Sequence, residues 1–180
     1  MIIKIYKERE KKMNDIFCET LVEKKITSTD KMKKILLFVV SAIVSFVCLL
    51  FIPMFGALLG IGIWVLVYFA IKYFYIEYEY ILAMNELDFA KIISKEKRKH
   101  LLSLDLKEAE IIAPSTHFKI KDAVTPDTQT LDYSSNDSSK KKYSIVTRYN
   151  GKNIQILFEP SETMLQGIRK QFPSKTVIEV

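Results

Sequence analysis

The chain has 180 residues, with 27 Lys and Arg against 21 Asp and Glu, a formal net charge of +6. The surplus is uneven: residues 1–34 hold ten basic and six acidic side chains, residues 73–180 hold sixteen and fifteen, and Lys72 stands between them. A nucleic-acid-binding domain carries its surplus in the folded part as a basic stripe, so this distribution excludes nucleic acid as a partner and points to membrane topology or anionic lipid.

Residues 1–12 are charged and show no repeating apolar face, as in a flexible tail. Met13 offers a second plausible start, and Asn14 or Asp15 can cap a short helix. Ile16, Phe17, Leu21 and Val22 then fall on one side of that helix, with Glu19, Glu23, Lys24 and Lys25 elsewhere. Such an amphipathic stretch suits the membrane interface or the surface of the protein's own domain. Residues 1–33 are therefore expected to form a cytoplasmic arm.

From Ile35 to Ile71, 37 residues pass without Asp, Glu, Lys or Arg. As one helix they would measure about 55 Å against a hydrocarbon core of about 30 Å. Pro53 lies near the middle and Gly56 follows, so the run divides into two spans, Lys34–Ile52 and Phe55–Phe74. The run is also too long, and starts too late, for the core of a signal peptide. Lysines flank both outer ends and the turn carries no charge, which predicts a hairpin in the plasma membrane with both termini cytoplasmic. Tyr68, Tyr73 and Tyr75 suit the inner interfacial belt, and Trp64 sits deeper, as a packing residue. Ser41 and Ser45 on the first span, and Gly56 and Gly60 on the second, have the spacing that lets backbones approach closely. They serve either the hairpin itself or a homo-oligomer.

The period then changes. Ile76, Tyr78, Tyr80 and Leu82 alternate with other residues, as do Leu87, Phe89, Lys91 and Ile93 across a turn at Met84-Asn85-Glu86. A charged turn from Ser94 to His100 leads to the alternating Leu102, Leu104 and Leu106, and a strand over 108–113 ends at Pro114. Residues 115–142 read as a long polar loop with one short edge strand around Leu131–Tyr133. Two strands, 142–149 and 152–158, flank Asn150-Gly151, the strongest short-range hairpin signal. Ser161 is an N-cap, Met164, Leu165 and Ile168 form an apolar helical face, and Pro173 ends that helix. Residues 75–180 are thus a cytoplasmic domain of six or seven antiparallel strands and a C-terminal helix.

This order resembles the pleckstrin-homology-like fold, a bent antiparallel sheet or partial barrel closed by a C-terminal helix. Tyr78-Glu79-Tyr80, Asn85-Glu86-Leu87-Asp88, Lys91-Ile92-Ile93, Lys97-Arg98-Lys99, Ala113-Pro114, Asp132-Tyr133-Ser134-Ser135 and Leu157-Phe158-Glu159-Pro160 look like a family of uncharacterised bacterial membrane proteins. Its members pair a transmembrane helical hairpin with a PH-like domain of unknown function. The match runs from Met13 to Phe172, with Glu86 standing where glycine is expected. The resemblance implies architecture and no activity.

No catalytic constellation appears. His100 and His117 have no Cys or His partner at ligand spacing, Cys18 and Cys48 form no disulfide framework, and no nucleophile elbow, Walker loop or dinucleotide fingerprint occurs. No catalytic residue, metal or cofactor is expected. Lys95, Lys97, Arg98 and Lys99 are candidates for contact with anionic lipid headgroups or a protein partner, against the reading of a solvated turn. Asp132, Tyr133, Ser134 and Ser135 are a candidate contact loop, against a turn-forming role. The function expected is a membrane-anchored binding or scaffolding module, with a structural subunit assembling through its hairpin as the alternative.

Overall fold

A computed structural model of the chain describes residues 17–52 and 54–178. The expected tail, the cap at Asn14 or Asp15, and the break at Pro53 lie outside the described residues. Among the described residues, eight strands and four helices follow in the order β1 (Phe17–Glu23), α1 (Ser28–Phe51), α2 (Gly56–Lys72), β2 (Ile76–Ala83), β3 (Glu86–Ile93), β4 (Lys97–Asp105), β5 (Ala109–Pro114), α3 (Phe118–Ala123), β6 (Gln129–Asp132), β7 (Tyr143–Tyr149), β8 (Lys152–Phe158) and α4 (Glu162–Gln171).

The strands form two four-stranded sheets rather than one bent sheet, ordered β1-β2-β3-β4 and β5-β7-β8-β6. Their facing sides share one core. Tyr78, Tyr80, Leu82, Leu87 and Phe89 from the first sheet meet Ile112, Ile145, Ile156 and Phe158 from the second. Tyr80, Phe89 and Phe158 stack edge to face at centroid separations of 5.5–5.8 Å, the geometry aromatic quadrupoles favour. Helix α4 adds Met164, Leu165 and Ile168 to this core. It starts where the Ser161 hydroxyl accepts the Met164 N–H at 3.3 Å. The β7–β8 turn has φ of +50° at Asn150 and +78° at Gly151, the left-handed pair a two-residue hairpin requires.

Three expectations are corrected. Residues 17–23 are not an amphipathic helix: they form β1, paired antiparallel with β2 from Phe17↔Ala83 to Glu23↔Glu77. Their period is two, with Cys18 and Val22 turned to the core and Phe17 and Leu21 exposed. The arm and the β domain are consequently one unit, built from residues on both sides of the helices. The pairing of β6 with β8 is parallel, so the second sheet is mixed. The long polar loop also contains α3, which Ile120 pins against Ala113 and Val146. His117 caps it by accepting the Lys119 N–H at 3.3 Å on Nδ1.

Helices α1 and α2 fill the turn of a β-hairpin. The β1–β2 ladder continues to Lys24, whose N–H donates to Ile76 O at 2.9 Å, and the chain leaves and re-enters the sheet at that point. Helix α1 is 24 residues long and long and apolar enough to cross a membrane; α2 is a shorter apolar helix of 17 residues. Leu36, Phe46, Leu50, Leu58, Leu66 and Phe69 are among the many exposed apolar side chains on them. Ser41, Ser45, Gly56 and Gly60 are buried between the two helices. A Cβ on Gly56 would come within 2.3 Å of Cys48 O, whereas one on Gly60 would meet the Ser45 Cβ at an ordinary 3.8 Å. Phe38 packs on Trp64 at 5.8 Å.

Two outcomes test this architecture. Gly56→Ala should spread the helix pair and lower the melting temperature of the purified chain, whereas Gly60→Ala should leave it nearly unchanged. Replacing residues 26–74 by Asn-Gly, joined between Lys25 and Tyr75, should give a β-rich soluble protein with one cooperative melt. A fragment starting at Glu77 should melt lower or aggregate, because β2 becomes an open edge and Val22 is lost from the core. Equal melting of the two versions would remove β1 from the domain.

Candidate functional site

Four strand ends converge on the rim of the first sheet nearest the helices: the C-terminal ends of β1 and β3 and the N-terminal ends of β2 and β4. The basic run expected in a turn lies mostly in a strand. Only Ser94–Glu96 turns, with φ of +56° at Ser94 and +60° at Lys95, and Lys97, Arg98 and Lys99 belong to β4. Pairing with β3 extends β4 to Lys97 because charges on an edge strand remain solvated. Period two then sends the basic side chains to opposite faces.

On the outer face every cation has a carboxylate. Lys95 Nζ lies 3.4 Å from both Glu23 Oε1 and Glu77 Oε1. Arg98 donates to Glu79 Oε2 through Nε at 2.6 Å and also through Nη2. Bonding to Glu23 and then Glu77 raises the Lys95 pKa above the usual lysine value. Beside them Lys72 donates to Glu96 at 2.9 Å, which ties the β3–β4 turn to the end of α2.

The opposite face differs. Lys99 stands directly across from Lys91, and Lys97 across from Ile93. Lys91 is in turn across from Tyr78, and Lys24 follows Val22 on the neighbouring strand. Among the described residues, no carboxylate lies within ion-pair distance of Lys24, Lys91, Lys97 or Lys99. Partial burial, and then the fields of Lys24 and Lys99, hold the Lys91 pKa below the usual lysine value. Like charges directly opposite in a sheet are destabilising, so this arrangement costs stability. An aromatic wall adjoins it: Tyr133 packs on Tyr78 at 5.6 Å and on Phe89 at 5.4 Å.

Two residues of the candidate contact loop are buried and internally bonded. Ser134 and Ser135 are each only 1% exposed. Asp132 Oδ1 accepts from the Ser134 N–H at 2.9 Å and its hydroxyl at 2.6 Å. Glu159 Oε1 accepts from the Ser135 N–H at 2.9 Å and its hydroxyl at 2.8 Å. Tyr133 O accepts the Tyr80 hydroxyl, and Ser135 O accepts the Lys25 N–H at 2.7 Å. Buried polar groups need such partners, and here they join the segment before α1 to the second sheet. Asp137 extends the network: the Lys25 ammonium first, and then Ser139, hold its carboxyl well below the usual range.

A second concavity, missed in the sequence, is a cleft of about 800 Å³ between β1 and α4, lined by Thr20, Lys140, Lys141, Glu159, Ser161 and Arg169 among others. Thr20 donates to the Ser161 hydroxyl at 3.0 Å across it. Its charges are of both signs, unlike the lysine rim. Lys24 and Lys91 were also missed as members of the rim, since neither lies in a basic run; only the strand register brings them to Lys99.

Across residues 14–178 the chain matches the family described as Bacterial PH-like domain (DUF6106), and it belongs to that family, whose function is unknown. No curated protein matches the chain, and no solved structure does.

The buried loop yields a clear expectation. Ser135→Ala removes the hydroxyl that donates to Glu159 and accepts the Asp137 N–H, and should destabilise the fold by about 1–3 kcal/mol. Lys97→Gln, at the exposed rim, should stay within about 0.5 kcal/mol of the parent. Denaturant unfolding of both variants checks this.

Proposed function

We propose that the chain is a membrane-anchored, non-enzymatic binding module, in which the α1–α2 hairpin crosses the plasma membrane twice and the PH-like domain meets anionic headgroups on the cytoplasmic leaflet. The carrying observation is the position of the helices in the β1–β2 turn. The chain enters α1 four residues after β1 and returns three residues after α2. A hairpin inserted in this way returns the chain to the side it left, so both flanking segments share one compartment. The lysines around the helix ends favour the cytoplasm for that side.

Short connectors keep the lysine rim near the bilayer surface. Each basic residue there contributes about 1 kcal/mol of attraction to anionic lipid. Tethering raises the effective concentration, so a contact too weak to recruit a free domain can still orient an anchored one. Lys34 supports the same placement: its ammonium lies 4.3 Å from the Tyr75 ring centre and 5.3 Å from that of Phe74, an arrangement suited to an interfacial belt.

Reporter fusions test the topology. Alkaline phosphatase fused at Met54 should be active, and the same enzyme at the C-terminus inactive. An active C-terminal fusion would overturn the two-span orientation. A pull-down comparing the full chain with α1–α2 alone separates this reading from a purely structural subunit, since a partner retained by the helices alone does not use the domain.

A further inference from the structure

Alternate residues of one strand are treated differently at the rim. Arg98, on the outer face, is held by Glu79, and its neighbour Lys95 in the turn is held by Glu23 and Glu77. Lys99, one residue further along β4, faces Lys91 instead of an acid. Tyr78 follows in the same cross-strand row, after Val22 of β1. A generic basic surface would not distinguish the two faces. Here three ammonium groups gather on the core-side face of the sheet, where Lys91 is partly shielded from water. Asp132, the acidic group that bears on Tyr78, is already engaged by Ser134 at 2.6 Å and faces Lys142 at 4.0 Å.

Cations left unpaired beside one another, with one of them partly buried, are stabilised by a compact anion of more than one charge. A phosphodiester carries one negative charge. A phosphomonoester carries about 1.5–2 near neutral pH, with three strong acceptor oxygens to share among several donors. We propose that Lys24, Lys91 and Lys99 form a discrete site for a phosphomonoester group. The inference rests on the membrane-anchored reading above and narrows its ligand. The group can come from a lipid headgroup or from a soluble phosphate, and the test separates the two.

The full chain in neutral detergent is titrated with short-chain phosphatidate, a phosphomonoester, with short-chain phosphatidylglycerol, a phosphodiester, and with inorganic phosphate. Phosphatidate should bind saturably and about tenfold tighter than phosphatidylglycerol, as the extra charge and acceptor oxygens require. Lys91→Gln and Lys99→Gln should each erase that preference, and Lys95→Gln should not, because Lys95 is already paired. Lys91→Gln removes a repulsion, so its melting temperature should hold or rise, and a folding defect would not mimic the loss. Binding of inorganic phosphate without phosphatidate would support the site and assign it a soluble source. Equal affinity for the two lipids, or an equal effect of Lys95→Gln, would overturn the discrete site while leaving headgroup contact standing. No binding to either lipid or to phosphate would overturn both.

Discussion

The antiparallel pairing of β1 with β2 is the constraint on which the rest of this molecule depends. Seven residue pairs join segments that are separated by the whole of α1 and α2. Closing a flexible loop of that length costs entropy, though the cost grows only by about 0.6 kcal/mol for each doubling. Two packed antiparallel helices lower it further, because they return the chain to its starting point before the strands meet. The close approach at Gly56 thereby supports the sheet as well as the helix pair. Without β1 the first sheet would lose Val22 from its core and would expose β2 as an edge.

The same pairing couples the helices to the buried polar loop. Lys25 is one residue beyond the ladder, yet its N–H reaches Ser135 O and its ammonium reaches Asp137. Ser135 then bonds Glu159, which leads into α4. A set of hydrogen bonds therefore runs from the start of the hairpin to Glu159, three residues before α4. The rim on the other side of that junction is fastened by Lys72 to Glu96. Both ends of the helix pair are anchored to the domain by specific contacts, which favours a fixed orientation over a loosely hung one.

Charge on the first sheet follows the two-residue period of its strands. The outer face balances Lys95 and Arg98 with Glu23, Glu77 and Glu79. The inner face leaves Lys24, Lys91 and Lys99 together. The bare net charge of the domain conceals this difference between the faces. A count of charges in sequence averages over both faces; only the register separates them.

The sequence by itself determined what local chemistry controls. The apolar run announced two helices through its length and composition, Asn150-Gly151 announced the β7–β8 hairpin because both residues need positive φ, and Ser161 announced the start of α4 through its capping hydroxyl. Alternation gave β2, β3 and the Leu102–Leu104 part of β4, Pro114 marked the end of β5, and the resemblance carried on those segments agrees with the family. Tertiary structure alone decided the rest. Residues 17–23 are short enough to satisfy a helical or a two-residue period, and only their partner β2, beyond the helices, selects the strand. The parallel direction of β6 is set by β8, and the six-residue α3 is held by Ile120 rather than by its own propensity. The lysine rim and the burial of Ser134 and Ser135 likewise arise from contacts between segments far apart in the chain. Non-local pairing leaves no mark in a window of neighbouring residues, because the energy that decides it resides in the partner strand.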